Sequence, residues 1–216
     1  MKRKKRVKKL VMVFFGMTAT GKSFVARAWA EKGGNPYFNS DVVRKELAGR
    51  DPETRQEIDV NAGIYSPAFT RQTYDELIRR AECALLNDET CSVVLDASYQ
   101  SRLERDLVRL HMEGKYRVFF VHCTCSEEIV KERLALRAED PHAISDGRWD
   151  IYLDQKKKFE IPVELGGEQL MTLETQMALP ELLQIVEKKM RALRGDMFFS
   201  SHGGKREAVD GENNNL

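Results

Sequence analysis

The feature that most constrains this chain is an apolar run that opens directly into a glycine-bounded loop. Leu10 to Phe15 is apolar on both faces, and Gly16-Met17-Thr18-Ala19-Thr20-Gly21-Lys22-Ser23 follows without a break. A strand without polar alternation is buried from both sides, as in the centre of a parallel sheet covered by helices. The loop fits the spacing G-x-x-x-x-G-K-[ST], and each fixed position has a chemical reason. Gly16 and Gly21 permit close wrapping and backbone angles that other residues resist. The N–H groups of Met17, Thr18, Ala19 and Thr20 then point inward at phosphates, beside the positive end of the following helix. Lys22 bridges the terminal phosphates in such loops, and the Ser23 hydroxyl takes Mg2+. An ATP and Mg2+ site is therefore expected at 16–23.

Downstream, short apolar runs alternate with longer amphipathic segments, the pattern of an α/β protein. The spacing predicts a helix over 22–32, a strand over 36–39 and a helix through Ala48 capped by Ser40 or Asp41. Ser66-Pro67 starts a long helix to about Asn87. Further strands are expected over 92–95, 116–122 and 169–173, with helices over 102–113, 127–137 (capped by Ser126), 148–159 and 180–194. The segment 139–148 is dense in turn residues and reads as a loop or lid. The domain is expected to run from 10 to 198, between a basic arm at 1–9 and a disordered tail at 199–216. The expected architecture is a three-layer sandwich around a parallel sheet of about five strands, order 2-3-1-4-5, with the site at the strands' carboxyl ends.

Other candidate residues follow from position. Asp96 closes the third strand, where a carboxylate supports the Mg2+ shell. Ala97 follows it, so no carboxylate stands there to activate water, which points to transfer onto a substrate hydroxyl rather than hydrolysis. Asp41 and Arg44 share a helix face. A carboxylate there can take a proton from an attacking hydroxyl, and an arginine can hold an anionic group; a helix cap with a surface arginine is the competing reading. Arg133 and Arg137 lie one turn apart before the lid, and Arg148 just beyond it. They are either a clamp on transferring charge or an ordinary charged face beside Glu128 and Glu132. Arg55, Asn61 and Tyr65 stand in a segment expected to line the acceptor pocket.

Taken in order, these motifs resemble a known group. The phosphate loop, Ser40-Asp41-x-x-Arg44-Lys45-x-Leu47-Ala48-Gly49, Val93-Val94-Leu95-Asp96-Ala97-Ser98, and Glu132-Arg133-Leu134-x-x-Arg137 ahead of Ser145-Asp146-Gly147-Arg148-Trp149 resemble the ATP-binding "predicted kinase" proteins of the P-loop superfamily, a group labelled as AAA domains. The resemblance spans about Leu10 to Glu160. The same set resembles the polynucleotide 5′-hydroxyl kinases, which implies Asp41 as general base, Arg44 as substrate ligand, and Arg133 and Arg137 as lid arginines serving the nucleotide. The loop departs from the family's Pro-Gly-Ser-Gly type of run, keeping only its two fixed glycines.

Three functions stand open on the sequence. One is a kinase acting on a small-molecule hydroxyl, a second a polynucleotide 5′-hydroxyl kinase, and a third an ATP-dependent binding switch or toxin-type module. Seven basic residues precede residue 10 in a chain of net charge +1, so the remainder is acidic. An acidic body is poorly suited to track a phosphate backbone, which favours the small acceptor, while the basic arm keeps a nucleic-acid partner open. The basic start and apolar run imitate a signal peptide, but cleavage after Ala30 would destroy the phosphate loop. With no membrane-length apolar run and cysteines (Cys83, Cys91, Cys123, Cys125) at no zinc spacing, a cytoplasmic protein with reduced thiols is expected.

Overall fold

The computed structural model describes residues 8–51, 63–139 and 148–199. Along the chain run β1 (Leu10–Phe15), α1 (Lys22–Gly33), β2 (Tyr37–Asn39), α2 (Ser40–Leu47), a 3-10 turn (Gly63–Tyr65), α3 (Pro67–Leu86), β3 (Ser92–Asp96), α4 (Arg102–Met112), β4 (Arg117–Thr124), α5 (Glu127–Glu139), α6 (Trp149–Lys158), β5 (Leu170–Glu174) and α7 (Leu179–Phe199). The expected elements are present, with ends displaced by a few residues, most at α7. The described residues divide into two compact units with the boundary between Leu183 and Gln184, so α7 spans it.

The five strands form one parallel sheet in the order β2-β3-β1-β4-β5, as expected. β3 and β4 flank β1, so the chain crosses β1 between them and leaves a crevice outside the carboxyl ends of these strands. The register sets the crevice. Phe14 pairs with Asp96, and Asp96 with Asn39, which aligns the ends of β1, β3 and β2.

Alternation along the strands divides the core. Val11, Val13, Phe15, Val93, Leu95, Val118 and Phe120 pack with α3 (Tyr74, Leu77, Ile78, Ala81) and α4 (Leu107, Val108, Met112). Met12, Phe14, Val94, Phe119 and Val121, all fully buried, alternate to the opposite face. There α1 packs along the sheet and buries Val25, Ala26 and Ala30.

Helix starts follow local chemistry. Ser66 accepts from Phe69 N–H at 3.4 Å with Pro67 at the first position of α3. Ser101 and Glu104 form a capping box on α4. The start of α2 corrects an expectation. Neither Ser40 nor Asp41 caps it; Asn39 does, its Oδ1 accepting from Asp41 N–H at 2.9 Å and Val42 N–H at 3.2 Å. No loop separates β2 from α2, so the last strand residue is the one placed to cap. Lys9, assigned to the basic arm from the sequence, is anchored. Its Nζ donates to Leu85 O at 2.7 Å and Asn87 O at 2.6 Å, a cation on the carbonyl end of α3.

His122 is stacked between Phe15 (4.8 Å) and Phe159 (5.1 Å). Burial first, then the Arg105 charge, hold its imidazole down at about 4 against an ordinary 6.5. The unfolded chain protonates near the ordinary value, so between pH 6.5 and 4 the unfolded state binds more protons and stability falls as pH falls. Allowing for partial exposure, the loss is about 2 kcal/mol across that window. Urea unfolding at pH 7 and pH 4.5 checks this: His122→Phe is expected to lose about 2 kcal/mol less stability than wild type. An unchanged pH dependence would remove His122 as the cause.

Candidate functional site

The phosphate loop joins β1 to α1 at the centre of the crevice. Gly16 has φ +142° and Gly21 φ +81°. A Cβ on Gly16 would lie 2.4 Å from Cys123 O, and one on Gly21 would lie 2.8 Å from Thr175 Oγ1 and 3.0 Å from Arg133 Nη1. Both glycines are therefore required by close approach as well as by backbone angle. Ala19 holds φ +60°, a left-handed conformation that costs an L-residue about 1–2 kcal/mol. Its methyl offsets this by packing with Val130, Leu134 and Tyr152. Backbone strain of this kind collects at functional loops.

The loop is braced from outside. Thr20 Oγ1 donates to Met17 O at 2.8 Å, and Thr175 Oγ1 donates to Thr20 O at 2.6 Å. Arg133 Nη1 donates to Ala19 O (3.3 Å) and Thr175 Oγ1 (3.1 Å), and its Nη2 to Thr175 O (2.5 Å). Arg133 thus ties the loop to the residue following β5. Thr18 N–H donates to Gln155 Oε1 of α6 at 2.6 Å. Lys22 and Ser23, on the first turn of α1, are half-buried.

Asp96, fully buried at the end of β3, has two unlike oxygens. Oδ2 accepts from Tyr37 OH at 2.6 Å and from Asn39 Nδ2 at 2.6 Å. Oδ1 is buried with no partner. Burial first, and then the Asp96 charge, push the Tyr37 phenol far above its ordinary range, so it stays a neutral donor. Asn39 is the hinge of this arrangement. One end of its amide holds the carboxylate, and the other caps α2, which carries Asp41 and Arg44. The distance from Asp96 to the first turn of α2 is thereby fixed through one side chain.

Asp41 is half-buried in that first turn. Arg44 is 5% exposed, its Nη1 donating to Ile64 O (2.6 Å) and Thr70 Oγ1 (3.1 Å), with its guanidinium over the Tyr65 ring. It joins α2 to the segment that starts α3. Arg137, one turn after Arg133, is half-buried and engaged. Arg148 pairs with Asp150 at 3.3 Å. The expected lid, apart from its end residues, and Arg55 and Asn61 lie outside the described residues, as does the basic arm before Lys8.

Sequence reasoning passed over Tyr37, Asn39, Gln155 and Thr175. Asn39 had a signal, an Asx residue at a strand-to-helix junction, and Tyr37 lies two residues earlier on the same strand face. Thr175 and Gln155 had none, because their partners are distant in the chain.

The arrangement fits Mg2+ on two observations: the buried, unpartnered Asp96 Oδ1 and the Ser23 hydroxyl. Few protein ligands suit a small hard cation shared with substrate phosphates. Among the described residues, no helix is long and apolar enough to cross a membrane, and the four cysteines are free.

Comparison with known proteins adds three findings. A family described as an AAA domain matches residues 11–162. An uncharacterized protein of Mycobacterium tuberculosis is 29% identical over 124 residues, 57% of this chain and 24% of that protein, and one of Mycobacterium bovis matches equally. The chain thus spans about a quarter of the length of the curated relatives it matches. Among solved structures, a gluconokinase from Sinorhizobium meliloti superposes with a TM-score of 0.60 at 21% identity, covering 92% of this chain and 100% of that one. The APS kinase of Mycobacterium tuberculosis, in complex with AMPPNP and APS, gives 0.57 at 21%, covering 86% and 99%. Shikimate kinase from Acinetobacter baumannii, in complex with shikimate, gives 0.52 at 16%, covering 88% and 95%. The fold is that of the P-loop kinases.

Proposed function

This chain belongs to the AAA-domain family, and from that premise we propose that it is a P-loop kinase moving the γ-phosphate of ATP to a hydroxyl of a small molecule. One observation carries the reading. The phosphate loop, the Asp96 carboxylate and the helix bearing Asp41 meet at the carboxyl ends of β1, β3 and β2, and Asn39 locks the carboxylate to that helix. Ala97, fully buried, leaves no water-activating carboxylate beside Asp96.

In this reading the loop amides and Lys22 hold the phosphates and stabilise charge as it develops. Mg2+, held by Ser23 and Asp96, would supply charge neutralisation between the phosphates. Asp41 takes the proton as the acceptor oxygen bonds to the γ-phosphorus and the bond to the bridging oxygen breaks, leaving ADP and a phosphoester. Arg133 secures the loop and stands at the nucleotide, with Arg137 beside it. Arg44 fixes the acceptor side of the crevice. The small acceptor is supported by the acidic body and by fold neighbours named for gluconate, APS and shikimate.

ADP release from Mg-ATP, measured against a panel of hydroxyl acceptors that includes a 5′-hydroxyl oligonucleotide, tests the proposal. Acceptor-dependent turnover is expected with a small polyol or hydroxy acid, falling by about a hundredfold or more in Asp41→Asn. Wild-type rates in Asp41→Asn would deprive the reaction of its base.

A further inference from the structure

Two donors converge on one oxygen of Asp96, and both come from one face of one strand. A carboxylate offers about four lone-pair sites, two on each oxygen. Oδ2 accepts from Tyr37 OH and from Asn39 Nδ2, each at 2.6 Å, so its share is filled. Oδ1, in a side chain that is fully buried, has no partner. The two oxygens are chemically equivalent until something distinguishes them, so the surroundings impose this asymmetry.

The register shows how they do so. Asn39 lies opposite Asp96, and Tyr37 lies opposite Val94, two residues earlier on the same strand face. Asn39 reaches Asp96 straight across the ladder, whereas Tyr37 needs the length of a phenol to reach forward to it. One hydrogen bond leaves a carboxylate free to turn about its Cβ–Cγ bond. Two on the same oxygen, from donors at different positions, fix its plane. Burial first, and then the Asp96 charge, keep the phenol neutral, so it stays a donor. The ring is held from the other side by α1, where the Arg27 guanidinium lies 5.8 Å from its centroid. Arg27 stands four residues after Ser23, on the same face of that helix. Tyr37 is therefore set between the helix that carries the Ser23 hydroxyl and the strand that carries Asp96.

We propose that Tyr37 is a positioning residue for the divalent cation: by filling Oδ2 it reserves Oδ1 of Asp96 for the cation's coordination shell. The inference rests on the kinase reading, in which Ser23 and Asp96 hold Mg2+. That ion demands near-ideal octahedral geometry, so it tolerates a misplaced carboxylate poorly. Removing a partner that orients a ligand typically costs about 10–100-fold in metal affinity. In this role Tyr37 acts only through Asp96, so its effect is confined to the metal-dependent part of nucleotide binding.

Calorimetric titration of the full chain with AMPPNP, in Mg2+ and in EDTA, tests this without an acceptor. The ratio of the two dissociation constants is the gain that the cation supplies. Tyr37→Phe removes the hydroxyl and keeps the ring beside Arg27. It is expected to cut that gain about tenfold, with affinity in EDTA within about twofold of wild type. Asp96→Asn is expected to cost more of the gain, and adding Tyr37→Phe to it is expected to change the ratio by less than about twofold. A merely structural role for Tyr37 would weaken binding equally with and without metal. A ratio unmoved in Tyr37→Phe, or a further tenfold loss on top of Asp96→Asn, overturns the proposal while leaving the kinase reading intact. A wild type that gains nothing from Mg2+ overturns the proposal together with the cation site. A wild type that binds AMPPNP in neither condition overturns the kinase reading, and this proposal with it.

Discussion

Acceptor-dependent turnover of ATP is expected to fall by roughly 10^4-fold when Lys22 is replaced by alanine, with the fold unchanged. The magnitude follows from what a cation at this position does. Charge spreads over the transferring phosphoryl oxygens in the transition state, and a pre-placed cation in a water-poor crevice stabilises it; cationic groups in such sites contribute about 10^3–10^5 in rate. Lys22 follows Gly21, and the two preceding loop carbonyls, Ala19 O and Thr20 O, are held by Arg133 and Thr175, so its position is braced by the loop. Its side chain is only half-buried, so truncation opens no core cavity. Circular dichroism and the melting temperature should match wild type while steady-state ADP release collapses. Activity retained within tenfold would show that chemistry occurs elsewhere than at this loop.

The largest effect on stability is expected at Arg105, a residue no motif singles out. Its side chain is fully buried, pairing with Glu164 at 2.5 Å, with side-chain exposures of 0% and 4%. Its Nη1 also donates to Tyr99 O at 3.0 Å and Gln100 O at 3.1 Å, and its guanidinium lies over the Phe15 ring. These carbonyls belong to the loop that leaves Asp96, where Tyr99 holds φ +39°. One cation therefore anchors a strained turn beside the site and neutralises a buried carboxylate. Arg105→Met strands Glu164 without a counter-charge and takes a donor from the Tyr99 and Gln100 carbonyls, of which Gln100 O keeps the Glu160 N–H at 2.9 Å. The cost is about 3–5 kcal/mol, or roughly 10–15 °C in melting temperature for a chain of this size. Removing both charges in Arg105→Met with Glu164→Leu is expected to recover most of that loss, because an apolar pair avoids the desolvation of two ions. Denaturant unfolding of the single and double variants checks both statements. A single variant costing less than about 1 kcal/mol would show that the pair is not stabilising against its unpaired state.

The two cases differ in how legible they were. Lys22, Gly16, Gly21 and Ser23 announce themselves because phosphate binding by a loop is a local problem: the donors are consecutive N–H groups and the spacing fixes their geometry. The sheet order followed from the same kind of information, an unbroken apolar β1 with alternating strand and helix segments. Asp96 was legible from its place at a strand end. That one of its oxygens is held by Tyr37 and Asn39 while the other is left open was not.

Arg133 and Arg44 show where local reading stops. Each was singled out by helical spacing, and the spacing correctly puts Arg133 and Arg137 on one face. What each guanidinium touches depends on residues 42 positions away in one case and 20 in the other. Gln155 reaches the loop across 137 residues, and Arg105 reaches Glu164 across 59. By itself the sequence determined the loop, its strand and helix, and the parallel sheet, because these follow from backbone donors, apolar periodicity and turn chemistry over short windows. Only the tertiary structure decided which side chains brace that loop, which oxygen of Asp96 stays open, and how Asn39 couples it to Asp41. Those depend on contacts whose partners the chain brings together only when the sheet has closed.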